Sequence, residues 1–209
     1  MRLAVLISLC VLILAFSIGS FFAYEDWRVS RYDKLLMDAA YRHNVPPPLL
    51  KAIMDARGRF NYYTMGEKGE AGLLQVPQEG VMAYKEAVRP NEDFEYVCIN
   101  RAHRPHVGIK YNVRGVCNIC KSRLIQELWY PKENIEIGAW YLAKLKRDIE
   151  KAVQGNTQEV IPLVLAAYCL TEKSVREATD DYRNPVLPPR LRASIKDILV
   201  RWARYRERL

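Results

Sequence analysis

Three consecutive prolines, Pro46 to Pro48, followed by an apolar run and then four glycines, constrain this chain more than any other stretch. A proline ring fits the first helical turn, where its missing N–H would be unpaired anyway, and it clashes deeper in a helix. The pattern therefore predicts a helix that starts near Pro47 and runs to about Arg57. Leu49, Leu50, Ile53, Met54 and Ala56 give it a broad apolar side, so it is expected to be buried. Gly58, Gly66, Gly69 and Gly72 then break the chain into an irregular loop before Leu73, Leu74 and Gln75. A buried helix that delivers its last residue beside a glycine-rich loop is one way to line a cleft.

The remaining periodicity is helical as well. Arg31 to Tyr41 carries Leu35, Leu36, Ala39 and Ala40 at helical spacing, and Glu79 to Val88 reads as a further helix closed by Arg89-Pro90. From Glu133 onward Ile135, Gly138, Leu142, Leu145 and Ile149 share one face, with Gly138 marking a close crossing. A polar turn around Gly155 leads, through a capping box of Asn156 and Glu159, into a helix ending at Tyr168. A proline-rich connector, Thr179 to Pro189, precedes a last amphipathic helix over 190–209 bearing Leu191, Ile195, Ile198, Trp202 and Tyr205. Either that helix docks on the domain or it lies on a membrane surface. At 209 residues, half of them hydrophobic, the chain has room for one all-α domain with a real core.

Residues 1–24 stand apart. Leu3 to Tyr24 holds no charge, with Arg2 before it and Glu25 and Asp26 after it. At about 1.5 Å rise per residue such a run is long enough to cross a bilayer. It reads as a signal peptide or an N-terminal anchor, and the lack of a clear small-x-small cleavage site favours the anchor. Both readings export the remainder, to a periplasmic or cell-envelope location, with the anchor in the inner membrane. The formal net charge is +8, much of it in the C-terminal arginines. An exported basic chain meets anionic membranes and cell-wall polymers. Nucleic acid is a poor partner for it, and no recognition motif is present.

Between 91 and 131 lies a segment with little hydrophobic periodicity but dense metal-ligand chemistry. Cys98, His103, His106, Cys117 and Cys120 place three of the five cysteines and two of the three histidines within 23 positions. The two-residue spacing of Cys117 and Cys120 lets both thiolates face one metal, and Cys98 with His103 or His106 completes a tetrahedral structural zinc site. A disulfide is the alternative in an oxidising compartment, although three cysteines cannot all pair and neither histidine would be explained.

Taken together, Val45-Pro46-Pro47, the apolar helix Leu49 to Ile53, Phe60-Asn61, Gly72-Leu73-Leu74-Gln75, Asn134-Ile135 with Gly138 and Tyr141-Leu142, and Ala167-Tyr168 resemble the motif blocks of lytic transglycosylases of the soluble type. That family cleaves peptidoglycan with a goose-lysozyme-like helical fold. The resemblance covers residues 31–178 outside the 91–131 insertion. It implies a lysozyme-like domain whose substrate is the glycan strand and whose chemistry rests on one carboxyl group. That group protonates the glycosidic oxygen between N-acetylmuramic acid and N-acetylglucosamine and then helps the 6-hydroxyl close an anhydro ring.

Where the family has Glu-Ser at the helix end, this chain has Arg57-Gly58, and where it has Asn-Ala-Gly after Ala-Tyr, this chain has Cys169, Leu170 and Thr171. An arginine is always protonated and cannot be the acid. Asp55, about 200° around the helix, is expected to face elsewhere. Glu67 and Glu70 lie on the loop, where a carboxylate near solvent is expected, and Glu70 is the better substitute acid. Arg57 either clamps a lactyl or peptide-stem carboxylate or pairs internally with Glu67 or Glu70. Gln75, Tyr141 and Tyr168 are candidate sugar contacts, each equally readable as a core residue with a satisfied polar tip. Three functions follow: glycan-strand binding without the catalytic acid, a working transglycosylase using Glu70, or a cell-envelope scaffold.

Overall fold

The computed structural model describes residues 2–66, 69–90, 126–153, 160–170, 172–178 and 187–207. The chain divides into two compact units, Met1–Lys34 and Leu35–Leu209. In the first, α1 spans Arg2–Ser30 and so continues past Tyr24. It is long and apolar enough to cross a membrane by length and composition. Its Ser17 hydroxyl donates back to the Ile13 carbonyl at 2.8 Å, so this polar group is satisfied within the helix.

The second unit opens with α2, Asp33–His43, most of which belongs to it. Next come α3, Pro47–Ile53, and a π-helical turn, Met54–Gly58, so the helical run set up by the prolines ends at Gly58. After the glycine loop, α4 spans Gln78–Val88. A 3₁₀ turn, Gln126–Trp129, leads into α5, Pro131–Ala152. The remaining helices are α6, Val160–Cys169, α7, Glu172–Ala178, and α8, Pro189–Arg206. No strand occurs among the described residues; two isolated bridges, Met65 with Ala71 and Ala71 with Val76, tighten the loop. The domain is all-α, as its periodicity predicts. The capping box at Asn156 and Glu159 falls outside the described residues.

Helix α5 is the central element, packing on both α4 and α6, while α3 packs on α8. Ile135, Ile137, Leu142, Leu145 and Ile149 of α5 are at most 2% exposed and meet a core that includes Leu163 and Leu165. Burying side chains of this size stabilises by about 1.5–3 kcal/mol each before entropy is counted. The crossing expected at Gly138 is real: a Cβ there would stand 2.6 Å from Leu74 Cδ1 and 3.0 Å from the Tyr168 hydroxyl. Helix α8 docks rather than standing free, burying Leu191, Ile195, Ile198 and Tyr205. Glu136, near the start of α5, bridges Arg42 and His43 of α2. Partial burial works against its charge, but the hydrogen bonds and cations of those two residues outweigh it and hold its carboxyl below the usual range.

Asn134, fully buried at the start of α5, ties the glycine loop to the helices. Its Oδ1 accepts the Leu74 amide at 2.8 Å, and its Nδ2 donates to the Ala71 carbonyl at 2.8 Å and the Leu128 carbonyl at 2.9 Å. Truncation to alanine strands three buried backbone groups, each a net loss of about 1 kcal/mol or more. We expect Asn134→Ala to lower unfolding stability by about 3–4 kcal/mol in urea titrations. A change within about 0.5 kcal/mol would mean that the loop is held by something else.

Candidate functional site

The site forms where the end of the α3 helical run meets the glycine loop and the end of α6. The Arg59 amide closes the π turn on the Met54 carbonyl, and the Phe60 amide reaches the same oxygen at 3.5 Å. A π turn inserted in a helix re-aims the side chains that follow it, and such turns are frequent at functional sites. Arg59 and Phe60 then both take left-handed backbone angles, with φ of 49° and 56°. Each costs of order 1–3 kcal/mol and persists only where the surroundings dictate it. Here they do: Phe60 is 1% exposed, and Gly58 lies so close to the loop that a Cβ would be 1.9 Å from the Leu73 carbonyl oxygen. The Gly58 carbonyl accepts the Asn61 amide at 2.8 Å and the Thr64 hydroxyl at 3.1 Å, which fixes how the chain leaves the helix.

Arg57 projects from this turn between Glu70 and Tyr168. Its Nη2 is 3.6 Å from Glu70 Oε1, an ion pair beyond hydrogen-bond length, and its Cζ is 5.9 Å from the Tyr168 ring centroid. Its Nη1 is buried without a hydrogen-bond partner. Glu70 corrects the sequence expectation: it is 8% exposed, not a loop carboxylate near solvent. The loop folds back on itself, the Gly66 amide donating to the Glu70 carbonyl at 2.7 Å. Because Gly66 has no Cβ, the Glu70 carboxylate can lie in the space one would take, 2.3 Å from its position. Of the two internal partners foreseen for Arg57, Glu70 is the one found; Glu67 lies outside the described residues.

Asp55 faces away, as two positions on a helix require. Its Oδ2 accepts from Arg201 Nη1 at 2.6 Å and from the Tyr205 hydroxyl at 3.0 Å, both on α8. The three candidate sugar contacts are deep in the fold: Gln75 is 4% exposed, and Tyr141 and Tyr168 are 1% exposed. Gln75 Nε2 donates to the Thr64 carbonyl at 2.7 Å and the Gly72 carbonyl at 2.9 Å, while the Tyr168 hydroxyl donates to the Leu74 carbonyl at 3.2 Å. Burial pushes the Tyr168 phenol far above its usual range, against the pull of the Arg57 cation. Burial likewise raises the neighbouring Cys169 thiol, with Arg57 opposing. Neither side chain is a ready proton donor or nucleophile at neutral pH.

Two features of the site carried no distinctive sequence signal. Tyr62 and Tyr63 stack at 4.0 Å between centroids, and Trp129 meets Tyr63 edge-on at 6.3 Å, forming an aromatic edge where the loop leaves Gly58. The adjacent pair Tyr62-Tyr63 was visible, but its Trp129 partner comes from 66 positions along the chain. The second feature is a cavity of about 550 Å³ whose lining includes Arg57 and Cys169 on one side and Arg190, Leu191 and Ser194 of α8 on the other. The proposed zinc ligands Cys98, His103, His106, Cys117 and Cys120 all fall outside the described residues.

The close approach of Gly58 to Leu73 ties residue 58 to the loop conformation. We expect Gly58→Ser to destabilise the domain by about 2–4 kcal/mol in chemical denaturation. Unchanged stability would show that the loop can retreat at little cost.

No family model matches the chain, and no curated protein does. Among solved structures it is similar to the X-ray structure of an inactive mutant of the lytic transglycosylase Slt from Pseudomonas aeruginosa, with a TM-score of 0.54 and 17% identity. The match covers 86% of this chain and 24% of that one, so the chain corresponds to about a quarter of the larger protein. At this identity the likeness is one of fold, and the fold is the lysozyme-like helical architecture of a lytic transglycosylase.

Proposed function

We propose that this chain binds peptidoglycan glycan strands at the cell envelope through a transglycosylase-type domain that has lost its catalytic acid. The observation that carries the reading is Arg57, a permanent cation at the end of the buried α3 run, paired with Glu70 and set over Tyr168. A general acid must release and regain a proton near the working pH, which a guanidinium with a pKa above about 12 does not do. Loss of that step alone costs roughly 100- to 10,000-fold in rate. Binding makes no such demand. Ring faces such as Tyr62 and Tyr63 still offer apolar surface to sugars, and Arg57 still offers charge.

One observation favours a second reading, a working transglycosylase that uses Glu70: its carboxylate is buried in the site beside Arg57. Digestion of purified peptidoglycan by the full chain separates the two, beside Arg57→Glu and Glu70→Gln variants. The first reading expects sedimentation with insoluble sacculi and no anhydro-muropeptides from the unaltered chain. Anhydro products that vanish in Glu70→Gln would establish the second. A chain that neither digests nor sediments with sacculi would leave the scaffold role.

The proposal places the domain outside the inner membrane, anchored by α1, with the 91–131 segment ordered by structural zinc. Because zinc holds deprotonated thiolates, metal binding and folding of such a segment are coupled. Metal analysis of the purified chain is expected to give about one zinc per chain. Absence of zinc with Cys98 oxidised would replace the metal by a disulfide.

A further inference from the structure

Helix α8 is divided by charge as well as by polarity. Leu191, Ile195, Ile198 and Tyr205 face the domain and are buried. On the other side Arg192, Lys196, Val200 and Arg204 are all exposed and follow one another at intervals of four. Such positions drift by only about 40° per step around a helix, so they form one outward row, about 18 Å long at the helical rise. Because the apolar side is docked, the row is fixed on the surface and is not free to turn inward.

The cations of this row are uncompensated. Arg192, Lys196 and Arg204 have no ion pair among the described residues, whereas Arg201, nearer the domain, takes both Asp55 and Asp197. Asp197 is the one acid within α8, and Glu207 lies just past its last turn. Helix α5 uses the same spacing the opposite way, pairing Lys144 with Asp148 and Lys146 with Glu150. Like charges at that spacing, as in Arg192 and Lys196, work against a helix, and an opposing anionic surface relieves them. The same chain carries α1, long and apolar enough to cross a membrane, so lipid is the polyanion it meets at the highest local concentration. Val200, 53% exposed between Lys196 and Arg204, gives the row an apolar contact for the head-group boundary.

We propose that the outward row of α8 is a docking surface for anionic phospholipid head groups, holding the domain against the bilayer by charge. The proposal rests on the reading of α1 as an anchor and is separate from glycan binding. Its strength comes from basic side chains near a negative surface, so it falls as salt screens them.

Acetylation of lysines in the full chain, read by mass spectrometry in lipid nanodiscs, tests this. Discs of phosphatidylcholine alone are compared with discs containing roughly 30% phosphatidylglycerol. Lys132, exposed at the start of α5, serves as the internal reference. Relative to Lys132, Lys196 is expected to react about five-fold more slowly in the anionic discs and to recover at about 0.5 M salt. The double variant Arg192→Gln with Arg204→Gln, both at exposed positions, should lose that protection while still sedimenting with sacculi. Equal Lys196 reactivity in the two kinds of disc, or protection unaltered in the double variant, overturns the proposal. Loss of sacculi sedimentation in the double variant, with no lipid protection in the parent, also overturns it and assigns the row to a wall polymer. Carbonate extraction from phosphatidylcholine vesicles reads the anchor separately. A chain that resists extraction but shows no Lys196 protection keeps the anchor and removes the docking surface. A chain that carbonate strips, yet whose Lys196 is protected on anionic vesicles, keeps the docking surface and removes the anchor.

Discussion

Everything at the site is referred to one buried amide. Asn134 has no exposure, and its two polar atoms engage three backbone groups from two separate segments, Ala71 and Leu74 of the loop and Leu128 of the 3₁₀ turn. A side chain in that position spends nothing on solvent, so its geometry becomes the geometry of the loop. Gly72 is part of the same arrangement, because its φ is +78° and a Cβ would stand 2.1 Å from Asn134 Nδ2. With the loop set, the Leu74 carbonyl receives the Tyr168 hydroxyl and Leu74 meets Gly138, which joins α5, α6 and the loop into one packed unit.

Against that fixed floor the end of α3 is under strain. The π turn, two left-handed residues and the contact of Gly58 with Leu73 lie within four positions of Arg57. Strained backbone survives where packing on both sides permits no alternative. Here it holds a cation in a largely buried place, 17% exposed, with a carboxylate at 3.6 Å. A largely buried charge needs a partner, and Glu70, folded in from the loop, is that partner.

Helix α8 contributes more than surface. Its apolar face covers α3, while Arg201 and Tyr205 take the Asp55 carboxylate. Burial and the Asp55 charge push the Tyr205 phenol upward, so it stays a donor. The beginning of the same helix walls the cavity beside Arg57, so α8 both engages an acid near its end and encloses a space near its start.

The sequence by itself determined most of the helices, though not α7, together with the buried α3 run and the cation at its end, because proline placement, apolar periodicity and residue charge are local properties. The close crossing at Gly138 was also legible, since a small residue in the middle of an apolar face has few other uses. Only the tertiary structure decided which side chains meet. Glu70 looked like a loop carboxylate near solvent and proved buried, because its environment comes from a fold-back that glycine spacing permits but does not specify. Gln75, Tyr141 and Tyr168 were equally readable as sugar contacts or core until the chain showed Gln75 and Tyr168 engaging backbone carbonyls. Asp55 with Arg201 and Tyr63 with Trp129 join positions 146 and 66 apart. No local pattern encodes such pairs, since they follow from how helices pack rather than from how each one forms.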